Sequence, residues 1–354
     1  FRSYRGHLTP SKSFFEFALF VAFFPQLVAG PIIRASHFLP QLREKLSEFE
    51  TGTRLRQIII QNSNLKLGIT IMAIGFFKKM FFADNVAPLV DSIFLIPTAL
   101  DSSSVLLGTI AFGIQIYCDF SGYSDIAIGA ALILGFNIPA NFNKPFFATS
   151  PSNFWQRWHI SLSTWVKDYI YTPLAFKNRK SQLRLTIVLI GSMFLLGLWH
   201  GASWNFVIFG VLWGIVMAGH RIILYKFPSL KFNSFFKTKI GIIISIIITQ
   251  YFVFLAFIPF RIPDFDYMLY AIQKYIFWDF STFDAIPFMV DNKFAVLLIG
   301  LFFVLQFITY KNIFTKEKIA NYKNRYWFGI ITIITVLIFF LASRDPGNFI
   351  YFQF

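Results

Sequence analysis

A single cysteine, Cys118, occurs among 354 residues, so no disulfide can close within the chain and a thiolate-held metal centre lacks its ligands. Charge is sparse as well. Asp, Glu, Lys and Arg supply 14% of the residues against 56% hydrophobic ones, and the mean hydropathy is +0.60; a soluble core cannot hide that much apolar surface. Acidic residues are the scarcer sign, 17 against 32 Lys and Arg, for a net charge of +15. That excess excludes no class by itself. The basic residues fall in short loops between apolar segments, however, which is how a membrane protein is oriented rather than how nucleic acid is gripped, and no nucleic-acid partner is expected. Also missing are a Gly-rich phosphate loop, a Gly-x-Ser-x-Gly elbow and a His-Glu-x-x-His zinc signature. No metal is therefore expected, and nothing singles out a nucleophilic serine. There is no solenoid repeat, low-complexity tract or long linker, which points to one membrane domain over 1–354.

What the chain does have is long apolar runs. They are too long and too unalternated for barrel strands, which leaves an all-α polytopic transmembrane bundle. Eight spans can be drawn: Phe14 to Ile33, Leu67 to Val90, Val105 to Phe136, Leu185 to Trp199, Trp204 to Tyr225, Ile240 to Phe260, Phe294 to Tyr310 and Tyr326 to Ala342. The second carries Lys78 and Lys79 near its middle, which must snorkel, pair or line a cavity. The third is long for one crossing and carries Asp119, Gly122, Asp125, Gly129 and Gly135, so a broken or re-entrant segment is expected. The connections 34–66, 137–184, 226–239 and 311–325 are basic, whereas 91–104 and 261–293 hold Asp91, Asp101, Asp264, Asp266, Asp279, Asp284 and Asp291. The alternation places the basic loops in the cytoplasm and the C-terminus outside, in a multi-pass protein of the cell membrane. On that orientation His159 belongs to a cytoplasmic loop and His200 to the outer end of its span. The loop around His159 repeats Phe154, Trp155, Trp158, Leu162 and Trp165 at near-helical spacing, which predicts a helix at the membrane surface or dipping into it, with Ser152 at its cap.

The two segments Phe154-Trp-Gln-Arg-Trp-His-Ile-Ser-Leu-Ser163 and Leu198-Trp-His-Gly-Ala-Ser-Trp-Asn205 set histidines among tryptophans. An imidazole beside a bilayer is costly to place, and it is the side chain best suited to take a proton near neutral pH. His200, followed by Gly201, Ala202 and Ser203, suits a general base; a histidine bonded inside the bundle, or anchored with Trp199 and Trp204 at the interface, is the equal alternative. His159, flanked by Trp155, Arg157 and Trp158, suits either a site or an interfacial anchor. Asp119 and Asp125, with Ser121, Tyr123 and Ser124 between them, form a polar island that either lines a path or holds a broken helix together. Residues 141–145 read as a turn. His7, His37 and His220 lack a partner pattern. The chemistry left is transfer of a group that arrives already activated.

At these residues the chain resembles the membrane-bound O-acyltransferase family, and within it the branch of the membrane subunit of alginate O-acetylation. The match runs through Phe24-Pro-Gln-Leu-Val-Ala-Gly-Pro-Ile32, Gln115-Ile-Tyr-Cys-Asp-Phe-Ser-Gly-Tyr-Ser-Asp125, Asn141-Phe-Asn-Lys-Pro145, the two histidine segments and the closing Phe349-Ile-Tyr-Phe-Gln-Phe354. The resemblance implies that His200 is the catalytic histidine and His159 the second characteristic position. Asp119, Asp125, Trp155, Arg157, Trp199, Ser203 and Asn205 are then candidates to line a tunnel or substrate path, with Ser203 or Asn205 steadying an oxyanion. It also implies that N-terminal spans precede Phe1. No bound cofactor is expected; the acyl donor is acetyl-CoA or another thioester, and the acceptor a polysaccharide reached through an extracytoplasmic acetyltransferase partner. Gln156 departs from the pattern, since relatives often carry a basic residue there. D-alanyl transfer toward teichoic acids is the alternative within the family, and an ion-coupled transporter using Asp119, Asp125 and Lys78 the alternative outside it.

Overall fold

The computed structural model describes residues 11, 13–52, 62–95, 100–280, 283–344, 347, 349 and 350. These fold as helices with no strand among the described residues, and six helices are long and apolar enough to cross a membrane: Ser102–Ile133, Gln182–His200, Trp204–Lys226, Lys239–Arg261, Lys293–Tyr310 and Asn324–Leu341. The polytopic helical bundle stands. Two of the eight expected spans are built differently. The first holds only the helix Phe14–Ala22 before a 3-10 turn at Phe24–Gln26; Pro25 and Pro31 interrupt the ladder, and nine residues reach about 14 Å, short of a bilayer core of about 30 Å. The second runs as α-helix Asn62–Phe76, π-helix Phe77–Ala83 and α-helix Asp84–Phe94, so its wide turn coincides with Lys78 and Lys79. His7 and residues 351–354 of the closing motif lie outside the described residues.

The chain divides into two compact units. The first comprises 1–81, 120–141 and 314–342. Its core is Phe23, Ile33, Phe38, Leu39, Leu42, Ala131, Phe136 and Ile138, with Phe38 stacked on Phe136 at 4.9 Å. The break expected in the third span is absent, because Ser102–Ile133 is one continuous helix. Its glycines serve close packing instead. A Cβ on Gly122 would meet the Gly75 carbonyl oxygen at 2.7 Å, and one on Gly75 the Gly122 oxygen at 2.7 Å, so the two backbones touch where any side chain would wedge them apart. Two buried carboxylates of this unit are paired inside it. Asp125 accepts from Lys78 Nζ at 2.6 Å and from Lys316 Nζ, which resolves the mid-span lysine of the sequence by pairing. Arg43 binds both oxygens of the buried Glu16, at 3.0 Å each.

The second unit comprises 82–119, 142–313 and 343–354. At its centre is the hairpin of Gln182–His200 and Trp204–Lys226, pressed together where a Cβ on Gly197 would fall 2.2 Å from the Phe206 carbonyl oxygen. Ser181, Ser203, Thr238 and Asp264 cap four helix starts with their side chains, each satisfying an amide that would otherwise be orphaned near lipid. Asp119 accepts the Ile350 amide at 2.7 Å in a buried bond, which ties the C-terminal segment to this unit.

The charge alternation of the loops carries a labelling prediction. In a Cys118→Ser background, a cysteine placed at exposed Asp266 is expected to react with an impermeant maleimide in intact cells, and one at exposed Lys323 only after permeabilisation. Labelling of the Lys323 site in intact cells would reverse the orientation.

Candidate functional site

The stretch expected to form one helix is broken at 156–159, and its first part is largely buried while Trp165 and Tyr169 beyond the break are exposed. Ser150, rather than Ser152, caps a five-residue helix Pro151–Trp155, since Pro151 takes the first helical position. The chain then turns, and His159 sits in the left-handed region (φ 42°, ψ 53°) before the helix Ile160–Val166. Histidine tolerates that region at a cost of order 1 kcal/mol. Three bonds hold it there. Arg157 Nε donates to Asn153 Oδ1 at 3.0 Å, the Asn143 amide to the Arg157 carbonyl at 2.9 Å, and Ser163 Oγ to the His159 carbonyl at 3.0 Å. Phe154, Trp158 and His159 are all buried, so the part of the segment around His159 folds into the protein.

His200 closes its helix and stands in an aromatic box. Its ring lies 4.9 Å from Phe260, edge to face, 5.6 Å from Phe209 and 4.9 Å from Trp199. Trp199 also meets the His159 ring at 6.1 Å. The two histidines therefore share one tryptophan, and the expectation that they look to opposite faces gives way to a pair: the turn at 156–159 carries His159 inward to the end of the second histidine's helix.

Burial, and after it the neighbouring His200, holds the His159 pKa well below the ordinary histidine value. The ring is neutral at pH 7, which is the form that accepts a proton or donates a single N–H. Because the folded pKa is depressed, the protein is fully stabilised above the unfolded value of about 6.5 and loses stability as pH falls below it. His159→Gln is expected to flatten that acid limb by up to about 1.4 kcal/mol per pH unit. Unfolding midpoints of wild type and variant between pH 7.5 and about 5.5 measure it, and parallel curves would show that His159 does not protonate on unfolding.

The remaining candidates divide. Trp155 and Arg157 sit beside His159 in the same chain segment. Ser203 accepts from the Asn205 amide as a cap, and Asn205 Nδ2 donates to the carbonyls of Ile262 and, at 3.0 Å, Pro263; both groups are spent on holding helix ends. Asp119 is engaged with Ile350, and Asp125 belongs to the first unit with its lysines. The reading of the sequence passed over Phe209 and Phe260, which face His200, and also His220 and Arg221. These last two line a cavity of about 690 Å³ with Trp155. The signal for Arg221 was present, a cation inside the apolar run 204–225. No group of three or more His, Cys, Asp or Glu side chains is placed to hold a metal among the described residues.

A family model for membrane-bound O-acyltransferases matches residues 2–262. The chain is 38% identical over 272 residues to a peptidoglycan O-acetyltransferase of Helicobacter pylori, covering 75% of this chain and 48% of that protein. It is 42% identical over 224 residues to a probable alginate O-acetylase of Azotobacter vinelandii, covering 62% and 41%. A teichoic acid D-alanyltransferase of Bacillus subtilis is 27% identical over 248 residues, covering 67% and 59%. The chain spans about half or less of the length of the first two relatives.

Proposed function

We propose, for a chain that belongs to the membrane-bound O-acyltransferase family, that it moves an acetyl group from a cytoplasmic thioester to a hydroxyl used in O-acetylating a cell-envelope polysaccharide. The observation that carries this reading is the convergence of His159 and His200 on Trp199 within the family's matched region. The acetyl group is favoured over D-alanine because the relatives named for O-acetylation stand at 38–42% identity and those named for D-alanyl transfer at 27–29%.

In the proposed step a neutral His200 takes the proton of the acceptor hydroxyl as its oxygen attacks the thioester carbonyl carbon. A carbon–oxygen bond forms, the carbon–sulfur bond breaks, and the departing thiolate recovers the proton from His200. Phe209 and Phe260, both buried, shield one side of the His200 ring from water. His159, neutral and fixed through its strained backbone, positions Trp199 and with it His200. The partner would be an extracytoplasmic acetyltransferase that receives the group and passes it to the polymer.

His159→Gln separates the two histidines. A positioning role predicts a loss of about 10-fold in acetyl transfer, smaller than that of His200→Gln, with an unchanged amount of protein in the membrane. O-acetyl content of the polymer, measured in a deletion strain complemented with the full-length protein, tests the reading as a whole. Normal acetylation in the deletion strain, with reduced D-alanine on teichoic acid, would turn it to the other branch.

A further inference from the structure

The helix Thr172–Lys177 ends at Asn178, whose side-chain amide donates to the Leu174 carbonyl at 2.8 Å, and Ser181 then caps the start of the span Gln182–His200. In this tight turn Lys177, Arg179, Lys180 and Arg184 line a hollow of about 340 Å³. All four are exposed, and none of them forms an ion pair among the described residues. Cations elsewhere are spent, Arg43 on Glu16, Lys78 and Lys316 on Asp125, Arg261 on Asp91 and Lys274 on Asp279. Four uncompensated like charges in one turn repel each other until an anion joins them. Arg179 sits over the Phe176 ring at 4.7 Å, a contact that holds its cation at the hollow and leaves its N–H groups to donate.

The surroundings are more apolar than a soluble anion requires. Phe176 is 67% exposed and Leu183 70%. Beyond Arg184, the residues Ile187, Gly191, Leu195 and Leu198 recur at helical spacing on the same face, for about 20 Å along the span. The three large ones are exposed, and a Cβ on Gly191 would meet nothing within 4 Å. The face therefore has a notch between Ile187 and Leu195.

We infer that this turn and the face beyond it form a binding site for an anionic phospholipid, with its phosphate in the basic hollow and an acyl chain along Ile187, Gly191 and Leu195. Each half of such a molecule answers one half of the site. A free phosphate would join the four cations but gain nothing from the apolar face, and a neutral lipid would cover the face while leaving the cations uncompensated. Ser181 already accepts from the Arg184 amide, so the headgroup is held by side chains rather than by the helix end. The bound lipid ties the turn into the hairpin to the membrane boundary, and because it binds the folded protein it adds stability by linkage.

The probes are dioleoyl phosphatidylglycerol, dioleoyl phosphatidylcholine and glycerophosphate, titrated into the purified full-length protein in a neutral detergent, with bound species resolved by native mass spectrometry. The wild type is expected to bind phosphatidylglycerol about 10-fold or more tightly than phosphatidylcholine. Lys180→Gln combined with Arg184→Gln should remove about 10-fold or more of that affinity. Lys237→Gln combined with Lys323→Gln takes the same charge from two other exposed positions, and should change it by less than about 2-fold. Equal losses in the two pairs would show only diffuse attraction to a basic surface and overturn the site. Gly191→Trp guards against a folding artefact in the charge variant, because its side chain enters open space; by filling the notch it should weaken phosphatidylglycerol by about 3-fold. Unchanged lipid affinity in that variant, or displacement of the lipid by an equal concentration of glycerophosphate, would make the hollow a seat for a soluble anion and overturn the lipid assignment.

Discussion

Acetyl transfer is expected to fall by about 10²–10⁴-fold in His200→Gln, the usual contribution of a positioned acid–base group. Glutamine keeps hydrogen-bonding capacity and approximate size but cannot take up a proton near neutral pH, so it removes the proposed chemistry while disturbing the box least. Alanine is a poorer probe, because it would open a void between Phe260 and Phe209, whose rings pack at 5.2 Å, and so mix a packing loss with the catalytic one. His200→Phe supplies the complementary control: it fills the aromatic box and can neither donate nor accept. If the residue is structural, phenylalanine or glutamine should sustain near-normal transfer. If it is the base, both should fail alike at wild-type protein levels. The measurement is O-acetyl content of the polymer per unit of membrane-inserted protein, and near-normal content with Gln would remove His200 from the base role.

Much of the architecture was legible because lipid leaves so few solutions for an apolar chain. Runs such as 240–260 and 294–310 admit only a helix in a bilayer, and the helices Lys239–Arg261 and Lys293–Tyr310 are there. Failures came where one local signal served a non-local purpose. Gly122 looks like a helix breaker when read along its own segment; it is a contact with Gly75, 47 positions away, that no periodicity displays. Pro25 was read as part of a span because the surrounding residues are hydrophobic, although the turn it forces is a local rule that outweighs them. In the candidate site, the histidines were visible from their residue type and company. Their convergence was not, since it depends on the left-handed turn at His159, held by Asn143 and Asn153 through Arg157. Phe260 lay beyond reach for the same reason, since it meets His200 from a helix remote in sequence, whereas Arg221 was a readable cation within an apolar run.

Asp125→Ala is expected to destabilise the protein by about 3–5 kcal/mol, the effect of stranding buried charge rather than of deleting a favourable bond. In the wild type Asp125, its side chain 7% exposed, faces Lys78 and Lys316, whose side chains are 19% and 33% exposed. Removing the carboxylate takes away the anion that Lys78 and Lys316 share, inside a unit where the backbones at Gly75 and Gly122 already touch. In detergent the unfolding midpoint should drop by on the order of 5–10 °C. The physical cause can be separated from chemistry by replacing the whole cluster, since an apolar set of similar volume often equals or exceeds a buried ion network in stability. Asp125→Leu combined with Lys78→Met and Lys316→Met should therefore recover most of the lost stability, and acetyl transfer with it. An ion-coupled role for Asp125 predicts the opposite pattern: the triple variant would be stable and inactive. Thermal midpoints and polymer acetylation on the same three proteins decide between them, and a stable triple variant without activity would return this cluster to the list of groups that carry the reaction.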